Sequence, residues 1–120
     1  MEGNRSSLDR LRVNCERAAL DQVQTVNMDL FSPKDLDMFG LYAPPDLILL
    51  DPPRVGAVEF CKRIDPFRPK RLIYVSCDPA TFSRDAAILC HGGAQLQKVV
   101  PVDLFPQTHH VELVGIFAWE

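Results

Sequence analysis

One thiol, three carboxylates and two imidazoles stand where they could act together. Cys77 follows Leu72–Val75, a short apolar run of β-favouring residues that reads as a buried strand. Asp78 can then cap a helix, and Pro79 suits its first position, where a missing N–H costs nothing. Cys77 is therefore expected at the carboxyl end of a strand and beside a helix N-terminus. The helix dipole and its free N–H groups favour a thiolate there. A thiolate is a nucleophile and a carboxylate at the same rim can be a base, so the chemistry on offer is covalent catalysis with proton transfer. Asp29, Asp51 and Glu112 supply the carboxylates, and His109 and His110 the imidazoles. A cysteine considered alone is more often a small core residue that happens to precede a helix. The weight rests on the other groups reaching the same place.

The elements that would bring them there follow from pattern. Ser7 to Leu20 has apolar residues at Leu8, Leu11, Cys15, Ala18 and Ala19, which is helical spacing. Gln22 to Met28 favours a strand ending at Asp29. Ser32-Pro33 opens a short helix to about Phe39, with Ser32 as cap, and Gly40 to Pro45 is a loop. Asp46-Leu47-Ile48-Leu49-Leu50-Asp51 is a continuous apolar run between turn signals, which suits a strand buried on both faces. Pro52 to Gly56 is a rigid turn, Gly56 to Ile64 a helix, and Asp65 to Lys70 a Pro-rich connector. After the Cys77 strand, Pro79 to about His91 reads as a helix ended by Gly92-Gly93. Gln95 to Leu104 is a strand broken near its end by Pro101, Phe105 to His109 a loop, and Val111 to Trp119 a last strand.

Strand–helix repetition closed by a helix-free link predicts an α/β fold: a mostly parallel sheet with a C-terminal antiparallel hairpin. Ligands of such sheets bind at the carboxyl ends of the parallel strands. Asp29, Asp51 and Cys77 fall at those ends, and the loop before an antiparallel last strand brings His109, His110 and Glu112 to the same rim. For Asp29, a turn or cap role competes with a ligand role.

Composition sets the bounds. A chain of 120 residues holds one domain, residues 1–120, with one modest core. An apolar content of 47 %, a charged content of 24 % and a net charge of −3 exert no global pull on nucleic acid. Lys62, Arg63, Arg68, Lys70 and Arg71 gather in one stretch, better read as a solvated helix end and loop than as a binding patch. No apolar run is long enough to span a membrane, and the polar N-terminus lacks a signal-peptide core, so a cytoplasmic location is expected. Cys15, Cys61, Cys77 and Cys90 are far apart, so no zinc or iron–sulfur site is expected. All but Cys77 fall in helical patterns and are expected in the core.

Four motifs in order resemble the RNA uracil-5-methyltransferases, the S-adenosylmethionine-dependent enzymes that make 5-methyluridine in tRNA and 23S rRNA. They are Asp51-Pro52-Pro53-Arg54-Val55-Gly56, Tyr74-Val75-Ser76-Cys77-Asp78-Pro79-Ala80-Thr81, Arg84-Asp85, and Asp103 through Glu112. The resemblance spans about residues 8 to 118. It implies a Rossmann-like class I methyltransferase fold, with Cys77 as nucleophile, Glu112 as base, and Asp29 and Asp51 in contact with S-adenosylmethionine. An RNA, tRNA or rRNA, would be the partner. Asp78 departs from the family, where many members carry Asn; both residues cap a helix. The chemistry asks for the same residue types. A thiolate adding to C6 of uracil makes C5 nucleophilic, and a base must later take the C5 proton so that the cysteine can leave.

The family's fold begins with a strand, a Gly-rich turn, a helix and a second strand, and this sequence holds no such Gly-rich turn. The resemblance therefore implies an N-terminally truncated fold, the C-terminal portion of a methyltransferase domain. Two central strands would be missing between the Asp29 and Asp51 strands. Either those two strands meet directly or the exposed edge drives self-association. Two further functions compete. One is an inactive, truncated domain that binds no cofactor. The other is an amino-group methyltransferase using the Asp51-Pro52-Pro53 turn, disfavoured because Arg54 stands where such enzymes place an aromatic residue.

Overall fold

The computed structural model describes residues 3–39, 43–104, 107 and 111–120. In chain order the elements are α1 (Arg5–Arg17), α2 (Pro33–Phe39), β1 (Leu47–Leu50), α3 (Val58–Lys62), a 3-10 turn (Asp65–Phe67), β2 (Arg71–Ser76), α4 (Pro79–His91), β3 (Gln95–Val102) and β4 (Glu112–Ala118). No helix among them is long and apolar enough to cross a membrane.

The four strands form one sheet in the order β1-β2-β4-β3. β1 and β2 run parallel, with Leu47 beside Arg71 and Leu50 beside Tyr74. β4 runs antiparallel to both neighbours, pairing Arg71 with Ala118 and Ser76 with Leu113 on one side and Gln95 with Ala118 on the other. The expected hairpin is thus present, and its second strand is inserted beside β2, leaving β3 at the edge. Parallel pairing among the described residues is confined to β1 and β2, so the sheet is mixed.

α4 runs over the predicted span because its signals are local and strong. The Asp78 side chain accepts hydrogen bonds from the backbone N–H of Ala80 and Thr81, Pro79 opens the helix, and Gly92 closes it. Phe82, Ala86 and Leu89 turn inward. They meet Leu72, Tyr74 and Phe117 from the sheet and Phe60 from α3 in one apolar cluster. The ring of Phe82 stands edge-on to Tyr74 at 5.7 Å, a favoured aromatic geometry. Phe82 lies against the backbone of β4 at Gly115, where an added Cβ would sit 2.6 Å from a ring carbon.

Three expectations fail, each for a physical reason. Gln22 to Met28 forms no strand; it makes one isolated bridge at Asn27, and no strand among the described residues offers it a ladder of hydrogen bonds. The direct pairing of this segment with β1 is accordingly not formed. β1 is not buried on both faces: Ile48 and Leu50 are covered, whereas Leu47 is 51 % and Leu49 67 % exposed. The covering helices α3 and α4 lie on one side of the sheet only, as the membership of the apolar cluster shows. Of the three helical cysteines only Cys61 is in the core; Cys15 is half-buried and Cys90 exposed. Cys90 lies just past the inward stripe of α4, and α1 buries only Leu8.

Gly115→Ala should destabilise the chain by about 1–3 kcal/mol, because the methyl group overpacks against Phe82. Urea denaturation of the two proteins checks this.

Candidate active site

Cys77 and Glu112 each stand one residue beyond the last pair of the β2–β4 ladder, Ser76 and Leu113. They therefore occupy neighbouring ends of adjacent strands. Leu72, Tyr74 and Ser76 are buried on the side of α4, as are Gly115 and Phe117. Strand alternation assigns Glu112, with Val114 and Ile116, to the opposite face, and Cys77 follows directly after Ser76 where β2 ends. Both residues are half-buried.

Asp29 and Asp51 meet elsewhere on this edge. They line one cavity of about 360 Å³, together with Met28, Phe31, Pro52 and Gly56. Asp51 is there because β1 ends at Leu50. Asp29 is there through a turn instead of a strand end. Its Oδ1 accepts the N–H of Phe31 at 2.9 Å, and its own N–H donates to Asp35 Oδ2 at 2.9 Å. Neither Cys77 nor Glu112 lines this cavity.

The turn after β1 joins the two groups. Arg54 Nε donates to Asp78 Oδ2 at 3.2 Å, and Thr81 Oγ1 donates to the Arg54 carbonyl at 3.0 Å. Asp78 thus works in two directions: Oδ1 caps α4 and Oδ2 holds Arg54. The Thr81 N–H and then the Arg54 guanidinium hold its carboxyl below the ordinary aspartate value. The residue that departs from the usual Asn therefore gains an ionic partner.

Sequence reasoning left Tyr74, Arg84 and Asp85 without roles. Asp85 is fully buried. Its Oδ2 accepts from Tyr74 Oη at 2.6 Å and from the Ala57 N–H at 2.7 Å, and its Oδ1 accepts from Arg84 Nε at 2.8 Å. Burial, and then the bond to Asp85, raises the Tyr74 phenol well above its ordinary value. Burial, and then the Asp85 charge, does the same to the Cys61 thiol, which makes Cys61 an inert core residue. The available signal was a carboxylate three residues after Phe82, on the apolar stripe of α4.

His109 and His110 lie outside the described residues. Four of the five residues of the basic stretch are in ion pairs: Lys62 with Glu59, Arg63 with Asp37, Arg68 with Asp65 and Lys70 with Asp46. No group of acidic, histidine or cysteine side chains among the described residues could hold a metal ion.

The sheet thus carries Cys77 and Glu112 at one pair of strand ends and Asp29 and Asp51 at a cavity further along the same edge. The fold is shared with the crystal structure of an M1.HpyAVI-SAM complex, at 19 % identity and a TM-score of 0.56 over 77 % of this chain and 52 % of that one. It is also shared with Pyrococcus abyssi tRNA (uracil-54, C5)-methyltransferase in complex with S-adenosyl-L-homocysteine. There the TM-score is 0.54 at 39 % identity, over 61 % of this chain and 18 % of that one. The family model of tRNA (Uracil-5-)-methyltransferase matches residues 2–119, and the chain belongs to that family. Among curated relatives, the 23S rRNA (uracil(1939)-C(5))-methyltransferase RlmD of Shewanella halifaxensis (strain HAW-EB4) is 38 % identical over 117 residues, which is 98 % of this chain and 26 % of the relative. The chain spans about a quarter of the length of the curated relatives it matches.

Because the folded-state value of Asp78 is depressed, its ionised cap stabilises the fold above the ordinary value of 3.8, and that contribution is lost as pH falls through the lower folded-state value. Asp78→Ala should lower Tm at neutral pH, and its deficit should shrink below pH 3.8. Asp78→Asn, which keeps the capping position polar, should remove the share of the pH dependence that Asp78 contributes. Thermal melts across pH 2–7 on the three proteins check both.

Proposed function

We propose that the chain is the nucleophile-bearing portion of the catalytic domain of an RNA uracil-5-methyltransferase. Its reaction moves a methyl group from S-adenosylmethionine to C5 of a uridine in tRNA or rRNA. The observation that carries this is the placement of Cys77 and Glu112 at neighbouring strand ends, linked through Arg54 and Asp78 to the turn that bears Asp51. The cavity beside Asp51 suits the cofactor: about 360 Å³ lies within the range of ligand pockets, and two carboxylates can accept from its amino and hydroxyl groups. Asp29 and Asp51 would hold it, and when bound it supplies an electrophilic methyl group.

The protein's own residues do the rest. The Cys77 thiolate adds to C6 of uracil, and the electrons of the C5–C6 double bond move so that C5 becomes nucleophilic. After C5 is methylated, Glu112 takes the C5 proton, the double bond re-forms and the C6–S bond breaks. Action on RNA is the ground for a cytoplasmic location.

A second reading is favoured by one observation. Leu47 and Leu49 leave one face of β1 open, and no strand among the described residues pairs with its outer edge. By itself this chain then binds cofactor poorly and self-associates through that edge. Calorimetry should show weak or no binding of S-adenosylmethionine, and light scattering should show a species larger than the monomer. Micromolar affinity in a monomer would overturn this second reading.

The catalytic assignment is tested in a chimera in which this chain replaces the matching quarter of the Shewanella halifaxensis relative. Given S-adenosylmethionine and RNA carrying 5-fluorouridine, it should become covalently trapped, because fluorine at C5 does not leave as a proton does. Cys77→Ala should abolish the adduct; an adduct in that variant would remove Cys77 from the mechanism. Glu112→Gln should accumulate adduct on ordinary RNA with turnover at least about 100-fold slower, the lower bound of what a general base contributes. Normal turnover in that variant would exclude Glu112.

A further inference from the structure

One face of α4 grips the backbone of the turn that leaves β1. Asp78 holds the Arg54 side chain, Thr81 the Arg54 carbonyl, and Arg84 Nη2 the Val55 carbonyl at 2.8 Å, while Asp85 holds the Ala57 N–H. Gly56 sits between them at φ 80°, a conformation that side chains rarely adopt. A Cβ there would collide with the Asp85 carboxylate and lie 2.6 Å from Arg84 Nη2. The turn is thus pressed against the helix more closely than any residue but glycine allows.

The choice of groups is informative. An apolar side chain at position 85 would join the Phe82–Ala86–Leu89 stripe without any desolvation of charge. A buried charged pair is a weak source of stability, and in some proteins such groups instead specify a geometry through their directional bonds. Here they tie together three elements: the core strand at Tyr74, the helix that starts after Cys77 at Arg84, and the turn after Asp51 at Ala57.

We propose that Asp85 is a positioning residue. Through Tyr74, Arg84 and Ala57 it fixes the separation between the Asp51 edge, where the methyl donor binds, and the thiol of Cys77, where the uracil is held. It touches neither substrate. The proposal rests on the function proposed above and adds the residue that sets the distance between the two reactants. Misplacement of about 1 Å is enough to slow such a transfer about 100-fold.

The test uses the same chimera, and it separates rate from amount. A single turnover on RNA carrying 5-fluorouridine yields a rate constant for trapping and an amplitude, the fraction of protein trapped. Asp85→Asn keeps the size of the side chain but replaces one acceptor with a donor. It should slow trapping about 10- to 100-fold at full amplitude. Tyr74→Phe keeps the carboxylate and removes one of its partners, so it should slow trapping less, also at full amplitude. A merely structural role would do the reverse: lower amplitude with the rate constant of the surviving fraction unchanged. That result, or unchanged kinetics in both variants, overturns the proposal. If Asp85→Asn fails to fold, as judged by circular dichroism, Tyr74→Phe decides by the same criterion. An unsubstituted chimera that traps no RNA would instead sink the function proposed above, and the positioning role with it.

Discussion

β2 hydrogen-bonds on both sides, to β1 in parallel and to β4 in antiparallel register, and the placement of the site follows from that double pairing. Parallel pairing puts the carboxyl end of β1, hence Asp51, at the same end as Cys77. Antiparallel pairing brings the start of β4, hence Glu112, to that end as well. A one-residue slip between β2 and β4 would send Glu112 to the other face of the sheet and bury Val114 and Ile116 against α4. The close fit of Phe82 over Gly115 opposes such a slip, because every other β4 residue brings a Cβ into the place of the ring. Core packing and site geometry are thus two effects of one register.

The polar part of the interior obeys the same economy. Buried charge persists only where donors surround it. Asp85 has three different groups donating to it, and the groups themselves come from β2, α4 and the turn before α3. Cys61 shows the contrast: a thiol in the same interior, beside the same carboxylate, is kept protonated. Two cysteines in one small fold are therefore sorted by position, one withdrawn from chemistry and one set at a helix N-terminus at the rim.

What was legible in the sequence was whatever is decided locally. α4 matches its expected span because Asp78, Pro79 and Gly92 act within one turn of their own positions. The β3–β4 hairpin and β2 were also legible, since their apolar runs find partners inside the chain. Gln22 to Met28 was misjudged because β propensity expresses a fit to neighbouring strands, and none among the described residues pairs with it. β1 was misjudged in burial for a related reason: a continuous apolar run announces two faces that can be covered, while α3 and α4 cover one. At the site, Cys77, Asp51 and Glu112 were placed by their elements. The link through Arg54 and Asp78 and the burial of Asp85 depend on packing between residues 24 to 29 positions apart, which no local pattern encodes.

The short sequence separations have a kinetic meaning. β1 pairs with β2 across an offset of 24 residues, 47 to 71, and Asp85 reaches Tyr74 across 11. Closing these loops costs somewhat less entropy than closing the longer ones that pair β2 with β4. Residues 46 to 91 contain β1, α3, β2 and α4 with every bond of the Asp85 network. During synthesis this stretch can settle as soon as α4 has emerged, before β4 exists to carry Glu112 into place. The surroundings of Cys77 are then built first and Glu112 is delivered last, so the order in which this rim assembles is written into the order of the chain.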